Sequence, residues 1–443
     1  MKVGGQWWFH YGYYSNNLLV QKDDTGKHAD RTVARQRMRT QIQFIADENL
    51  SAMLNLEANM VAGDTTTSGG IDADKTSFVI KRAHLDWTIP GTQVKTRLGI
   101  QGITMPTVAF GNPVLNADVS GLSVSSQFTP EFGMTAFWAR PYDNGFADST
   151  QVGGLNKMDE MDIFGVMLPI KTDAVRATPW GMFALIGKDS GYFRDANKSL
   201  YNFRHVGAPA AIGTDKMDST AYGWWLGSSF ELPILDPFFV NIDAMMGGLE
   251  TGDSDYDTFG WYIAANVGYK FSWGALSAIG WYSSGNDDVD DRGTMPIVSD
   301  DGGGNQMTRY GLGQSPYLNT QGALSTHGLG MWGVGLQLAD FSFVENLKHT
   351  AKILYMGGTN QGDSTPRRSV RAEAGGVQFF GDGYFMTSDR AWEATLLSEY
   401  KVNQNLTFYF DLSYIWLDLG DHWRDRNDTE GNFVSAISVI YSF

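Results

Sequence analysis

An alternation of apolar and polar residues with a period of two, sustained over unusually long runs, limits what this chain can fold into more than any other feature. In residues 405–417, NLTFYFDLSYIWL, one face carries Leu406, Phe408, Phe410, Leu412, Tyr414 and Trp416, and the other Thr407, Tyr409, Asp411 and Ser413. The same pattern sets Leu50, Ala52, Leu54, Leu56, Ala58 and Met60 against Ser51, Asn55, Glu57 and Asn59, and puts Phe259, Trp261, Ile263, Ala265, Val267, Tyr269 and Phe271 on one side. This is the period of a strand and not of a helix. Strands of soluble sheets usually run about five or six residues, whereas a tilted strand crossing a bilayer needs about 9–11.

Composition agrees with a membrane barrel. Aromatic residues make up 13% of the 443 residues, and Gly (52) far outnumbers Pro (13), which suits twisted strands, tight turns and interfacial Trp and Tyr. All-β barrels run long as single units, so a single domain over 1–443 is expected. The absence of Cys excludes disulfides and thiolate metal sites. A formal charge of −16 argues against a nucleic-acid partner, whose phosphates are bound mainly by Lys and Arg. No apolar run is long enough for a transmembrane helix. The start, MKVGGQWWFHYG, has no signal-peptide core and reads as a mature chain with Met1 added.

Eighteen strand windows can be read, at 3–15, 32–46, 50–62, 76–89, 93–102, 118–128, 132–141, 159–169, 179–188, 219–231, 237–249, 258–272, 274–284, 327–339, 349–358, 388–402, 405–417 and 432–443. Sixteen would remain if 159–169 and 179–188 were misread. Short turns such as Asp47-Glu48-Asn49, Pro90-Gly91-Thr92, Thr129-Pro130-Glu131 and Val402-Asn403-Gln404 alternate with long polar connections. That is the plan of an antiparallel transmembrane barrel with short periplasmic turns and long extracellular loops. A β-propeller would need a four-stranded blade period, which is absent.

Within lipid every backbone group needs a partner, so such strands must close on themselves, apolar face to hydrocarbon and polar face to a wet lumen. Counting by twos, the second strand points Arg35, Arg37 and Arg39 inward, the third Glu57, the fourth Arg82, His84 and Asp86, and the fifth Lys95 and Arg97. A mainly basic wall is expected there. Later strands point Asp243, Glu393, Glu399 and Asp411 inward, so a field across the pore with a modest anion preference is expected. Residues 103–117, ITMPTVAFGNPVLNA, are nearly uncharged. They are expected to fold inward as an eyelet carrying Met105, Pro106, Phe110 and Asn112 and ending near Asp118; packing on a neighbouring subunit is the alternative. Trp7, Trp87, Trp138, Trp224 and Trp261 are expected in interfacial girdles.

Other patterns lead nowhere specific. Gly328, Gly330 and Gly333 have GxGxxG spacing at the start of a strand pattern, where no dinucleotide site belongs. Asp253, Asp255 and Asp257 open like an EF-hand loop, but Thr258 and Ala264 stand where it needs Gly and Glu. The acidic loops leave loose Ca²⁺ or Mg²⁺ binding, bridging to lipopolysaccharide phosphates, as an expectation weaker than plain solvation. The seven His form no HExxH pair, and no Ser/His constellation stands out, so no enzyme is expected.

The closing strand sets Phe433, Ser435, Ile437, Val439, Tyr441 and the last residue, Phe443, on one face. With the strand pattern and loop order, this resembles the trimeric general porins of Gram-negative outer membranes, and in detail the outer-membrane homotrimeric porins of sulfate-reducing bacteria. The resemblance implies a homotrimer, a constricting third long loop at about 103–117 and a basic ladder at Arg35, Arg37, Arg39, Arg82 and Arg97. It also implies that Tyr441 and Phe443 are read by the outer-membrane assembly machinery. One departure stands out: general porins place acidic residues on the constricting loop, and here none occurs before Asp118.

The expectation is therefore a passive outer-membrane channel for small hydrophilic solutes and ions. A substrate-specific channel for a sugar or oxyanion would use residues such as Trp8, Trp225 and Tyr262. A soluble all-β binding protein is the more distant alternative.

Overall fold

The computed structural model describes residues 1–15, 31–64, 70–71, 78–143, 160–187, 190, 192, 220–252, 254, 257–287, 292–299, 307–309, 328–361, 368–369, 385–421, 423–424 and 431–443. Eighteen strands carry the fold: β1 (Lys2–Tyr14), β2 (Arg31–Ile45), β3 (Leu50–Val61), β4 (Phe78–Thr88), β5 (Lys95–Thr104), β6 (Asn116–Gln127), β7 (Gly133–Asp143), β8 (Glu160–Met167), β9 (Arg176–Ile186), β10 (Ala221–Glu231), β11 (Phe238–Glu250), β12 (Thr258–Phe271), β13 (Gly274–Ser283), β14 (Met331–Val344), β15 (Leu347–Gly358), β16 (Arg390–Lys401), β17 (Leu406–Asp418) and β18 (Asn432–Ser442). A two-residue piece, Ile170–Lys171, continues β8 past Pro169. Among the described residues no helix is long and apolar enough to cross a membrane, which says nothing of strands.

Each strand pairs antiparallel with its sequence neighbours, and the ring closes where β1 pairs with β18, from Gln6 opposite Ser442 to Tyr14 opposite Val434. Gly5 and Phe443 exchange backbone hydrogen bonds at the seam. Both strands that a sixteen-strand barrel would discard are present, paired from Met167 opposite Trp180 to Met161 opposite Ile186. The count is therefore eighteen, and the sixteen-strand alternative falls away.

Short and long connections segregate to opposite rims. The short turns are closed by their own side chains: Asp47 Oδ1 accepts from the N–H of Asn49 and Leu50 (2.7 and 2.9 Å), and Asn403 Oδ1 from those of Asn405 and Leu406 (2.8 and 3.0 Å). Thr129 Oγ1 does the same for Glu131 and Phe132. These side chains replace the ladder partners that a two-strand corner cannot supply. Gly91 takes φ +76° in its turn, which only glycine adopts at no steric cost.

The faces are sorted as the alternation requires, with large apolar side chains exposed on the outside. Leu98, Leu336, Ile353 and Phe410 are among them. Outward aromatics concentrate towards the two rims: Phe238, Tyr269, Phe271 and Tyr400 near the short turns, and Trp224, Trp261, Tyr282, Trp332 and Trp416 near the long connections. Trp7 lies nearer mid-strand and stacks on Phe9 at 5.5 Å.

The inner face departs from the expected uniformly polar lining. From β7 to β13 the inward register places Phe137, Trp180, Met182, Trp225, Met245, Tyr262, Ile279 and Trp281, all buried. Several rings occupy the space beside a glycine of an adjacent strand: Phe137 at Gly165, Trp180 at Gly227, Trp225 at Gly247 and Trp281 at Gly333. Onto this panel pack Met295, Ile297 and Val298 from the β13–β14 connection. An apolar core thus sits inside the barrel, and those strands are apolar on both faces.

A Cβ at Gly333 would run into the Trp281 ring. Gly333→Val should destabilise the barrel by about 1–3 kcal/mol, the usual cost of overpacking. Thermal unfolding of the detergent-solubilised protein checks this, and Ala278→Val, on the outer face, should leave the transition near wild type.

Candidate functional site

The connection after β5 turns inward and crosses the lumen. Met105, Val114 and Leu115 are buried, its ends are joined by Met105 N–H to Leu115 O (3.0 Å), and Asn112 Oδ1 accepts from the N–H of Val114 and Leu115 (2.9 and 3.3 Å). Pro106 and Phe110 are half-buried. Across the barrel, Asp243 of β11 takes hold of the middle of the segment. Its Oδ1 accepts from Val108 N–H (2.8 Å), and its Oδ2 from Thr107 Oγ1 (2.6 Å), Ala109 N–H (2.8 Å) and Phe110 N–H (3.3 Å). An apolar loop carried away from any strand leaves its amides unpaired, and one buried carboxylate satisfies three of them with charge-assisted bonds.

A second segment locks the first. Val298 and Ser299 donate to Val114 O (2.9 and 3.1 Å), and Asn116 N–H donates to Ser299 O (2.7 Å). Trp225 Nε1 donates to Pro296 O (2.7 Å) and Tyr192 OH to Ile297 O (2.9 Å). Trp225 and Tyr262 are therefore buried under loops and do not line an open passage.

Residues 307–309 dock on the wall made by β15, β16 and β17. Glu393 accepts from Arg309 N–H (2.9 Å) and Thr308 Oγ1 (2.5 Å), Asp411 pairs with Arg309 Nε (2.5 Å), and Lys352 Nζ donates to Met307 O (3.4 Å). Thr395 and Ser413 complete the two carboxylates. The expected field between these carboxylates and the basic wall is thereby corrected, because three of the four are neutralised by loop groups. Asp243, Glu393 and Asp411 face inward, but loop amides, hydroxyls and a guanidinium occupy them. Glu399 sits near the short-turn rim, 3.2 Å from Lys401.

On the other side the basic wall is assembled by register. Trp8, Arg37 and Asn59 lie in one row, as do Gln6, Arg39 and Glu57, and His10, Arg35 and Val61. Arg39 Nε meets Glu57 at 2.5 Å, Arg37 Nε donates to Asn59 Oδ1 (2.7 Å), and the Arg37 guanidinium lies 4.5 Å over the Trp8 ring. Arg97 holds Asp86 with two bonds (2.6 and 3.0 Å). Buried His84 lies 3.7 Å from Asp86, its Nδ1 3.1 Å from Ile100 O, and Lys95 stands exposed near the short-turn rim. From β2 to β5 the inward register thus holds Arg35, Arg37, Arg39, Lys95 and Arg97 against Glu57 and Asp86.

Arg82 and Asp118 do not belong to this wall. Asp118 is the third residue of β6, on the face of Leu122 and Leu98, which is the outer one. The register of β3 and β4 slips at Asn55 and Leu56, a bulge that leaves Lys81 and Arg82 together on Asp118 (3.0 and 2.5 Å). Arg82 reaches it over Gly102, where a side chain would displace the guanidinium. A bulge breaks the count by twos. Sequence reasoning missed Arg309, in a connection with no period, and Lys352, whose place opposite Gln337 the strand parity did carry. Asp253 and Asp255 lie outside the described residues; Asp257 Oδ1 accepts from Thr251 N–H (2.7 Å) and Oγ1 (3.0 Å).

No protein-family model matches the sequence, and no curated protein matches it. Solved structures do share the fold. Acinetobacter baumannii OccAB3 aligns with a TM-score of 0.57 at 11% identity, covering 100% of this chain and 99% of that one. Pseudomonas aeruginosa OccK8 (OprE) gives 0.54 at 10%, covering 100% and 98%. The outer membrane protein opdK from Pseudomonas aeruginosa gives 0.53 at 8%, covering 100% and 99%. At these identities the likeness establishes the closed barrel fold.

Removing the Asp243 carboxylate orphans three amides, each charge-assisted bond being worth about 1.5–3 kcal/mol. Asp243→Ala should let the 105–115 segment leave the lumen. In planar bilayers, single-channel conductance should rise and become noisier, while wild-type conductance in the variant would show that Asp243 does not hold the eyelet.

Proposed function

We propose that the protein is an outer-membrane channel through which small hydrophilic solutes and ions diffuse passively, with a modest preference for anions. The observation that carries this reading is how water reaches the inner charges. Arg37, Arg39 and Arg97 keep 27%, 34% and 39% of their side chains exposed, while Asp243, Glu393 and Asp411 are buried under loops. The in-folded segments cover the apolar panel and these three carboxylates, which leaves the wet path along the basic wall, where Asp86 and Glu57 offset part of the positive charge. A cation-lined path with low-dielectric walls raises the local anion concentration.

The outer face supports the membrane setting. Contiguous exposed apolar side chains between two aromatic-rich rims would be an aggregation hazard in water but match hydrocarbon between two interfaces. The likeness to an outer membrane protein of the same fold points the same way. Kinship with the porins of sulfate-reducing bacteria, a homotrimer, lipopolysaccharide around the rim, and a closing strand ending in Tyr441 and Phe443 that is read by the assembly machinery complete the proposal. They rest on the sequence resemblance, with Tyr441 and Phe443 stacked and exposed at the seam.

A substrate-specific channel is the second reading, favoured by the cross-barrel segment, which sets half-buried Phe110 and Val108 into the lumen. Saturable block of ion current by one sugar or oxyanion would distinguish it.

Under a KCl gradient in a planar bilayer, the reversal potential should report anion preference. Arg37→Gln combined with Arg39→Gln should bring it close to zero at unchanged insertion. Clear cation selectivity of the wild type would overturn the proposal, as would full extraction of the native protein without detergent.

A further inference from the structure

Two rows of the basic wall are joined by a continuous chain of hydrogen bonds. Arg37 Nε donates to Asn59 Oδ1 (2.7 Å), Asn59 Nδ2 donates to Glu57 Oε1 (2.6 Å), and Arg39 Nε donates to Glu57 Oε2 (2.5 Å). Arg37 stands opposite Asn59 and Arg39 opposite Glu57 across β2 and β3, so the chain runs along one face from row to row. Each guanidinium is held at Nε, the edge nearest its own stem. Arg37 is also laid 4.5 Å over the ring of buried Trp8.

The direction of the donors makes the residue at 57 decisive. Arginine has no acceptor, so a chain with an arginine at each end has donors pointing inward from both sides. Asn59 passes that direction on, because its amide accepts at one atom and donates at the other. The chain can therefore terminate only on a group that accepts at two atoms and donates at neither, which is a carboxylate. A glutamine at 57 would break one link whichever way the two amides turned.

The cost and the gain of this carboxylate fall on different ions. Glu57 keeps 7% of its side chain exposed, while both arginines reach the lumen. Counted as charge, it subtracts one unit from the wall and weakens the pull on every anion. Counted as geometry, it fixes two guanidiniums, about 7 Å apart along the strand, that would otherwise spread over many rotamers. Chloride responds to the summed charge alone. An oxyanion with several acceptor oxygens responds also to where the N–H groups are held.

We propose that Glu57 and Asn59 are positioning residues that set Arg37 and Arg39 as a paired subsite for a small, multiply charged oxyanion, favouring it over chloride. The inference rests on the channel reading above and deepens it by naming the class of solute that the basic wall selects. The test compares two readouts in planar bilayers: the reversal potential in a KCl gradient, and the inorganic phosphate concentration that halves the chloride current at pH 8. Asn59→Leu, similar in volume and neutral, should leave the reversal potential at wild type. It should raise the half-blocking phosphate concentration about tenfold, the loss expected of one charge-assisted hydrogen bond. Glu57→Gln should shift the reversal potential further towards anions and still weaken phosphate block by a similar factor. A wall that acts by charge alone would instead show stronger block in Glu57→Gln and unchanged block in Asn59→Leu, and either result would overturn the proposal. So would a wild-type current that phosphate does not block. Because the substitutions lie on different residues, a variant that inserts no channels leaves the comparison to the other. Calorimetry of the detergent-solubilised protein with phosphate separates this inference from the channel reading: phosphate binding that Asn59→Leu weakens, in a wild type that conducts no current, would strike the channel and leave the subsite standing.

Discussion

Closure of the hydrogen-bonded ring is the constraint on which the rest depends. A strand whose outer side chains are apolar on both rims and in the middle cannot leave an edge open, because an unpaired row of amides would face the same apolar medium. The pairing of β1 with β18 removes the last edge. Once the ring is shut at eighteen strands, its interior is too wide for wall side chains to fill. The chain fills part of it with its own connections, and the chemistry of the interior becomes that of holding those connections in place.

Two kinds of contact do this. Apolar panels receive apolar segments, as when Met295, Ile297 and Val298 settle on the tryptophan-bearing wall. Buried carboxylates receive backbone amides, as Asp243 does for residues 108–110 and Glu393 for Arg309. A carboxylate suits this because its two oxygens offer about four acceptor sites, enough for a short stretch of chain with no strand beside it. What is left wet is the arginine side, and the proposed selectivity is a remainder in this sense: Asp243, Glu393 and Asp411 are used internally, while Arg37, Arg39 and Arg97 stay in contact with water.

How much of this was readable beforehand depended on whether a residue's position was set by strand parity. Phe408 to Trp416, the inward Arg35, Arg37 and Arg39, and the Asx turns at Asp47 and Asn403 were legible because period and turn chemistry are local properties. Strand number and the alternation of short and long connections came from the same local signals. The apolar panel from β7 to β13 was not legible, because Trp180 and Trp225 belong to strands that are apolar on both faces and so blur the alternation. Arg82 was misplaced by a bulge, which shifts parity by one without leaving a mark in composition. The work of Asp243, Glu393 and Asp411 was hidden because their partners arrive from connections far away in sequence, and only the folded chain brings them together.

The tether at Asp243 separates two properties that a barrel usually ties together. Strand number fixes the girth of the cylinder, but here the calibre of the passage is delegated to an insert gripped by one acid and latched by a neighbouring connection. A lineage carrying this fold can widen or narrow its bore by exchanging one anchor or shortening one segment, leaving the staves and their lipid-facing surface as they were.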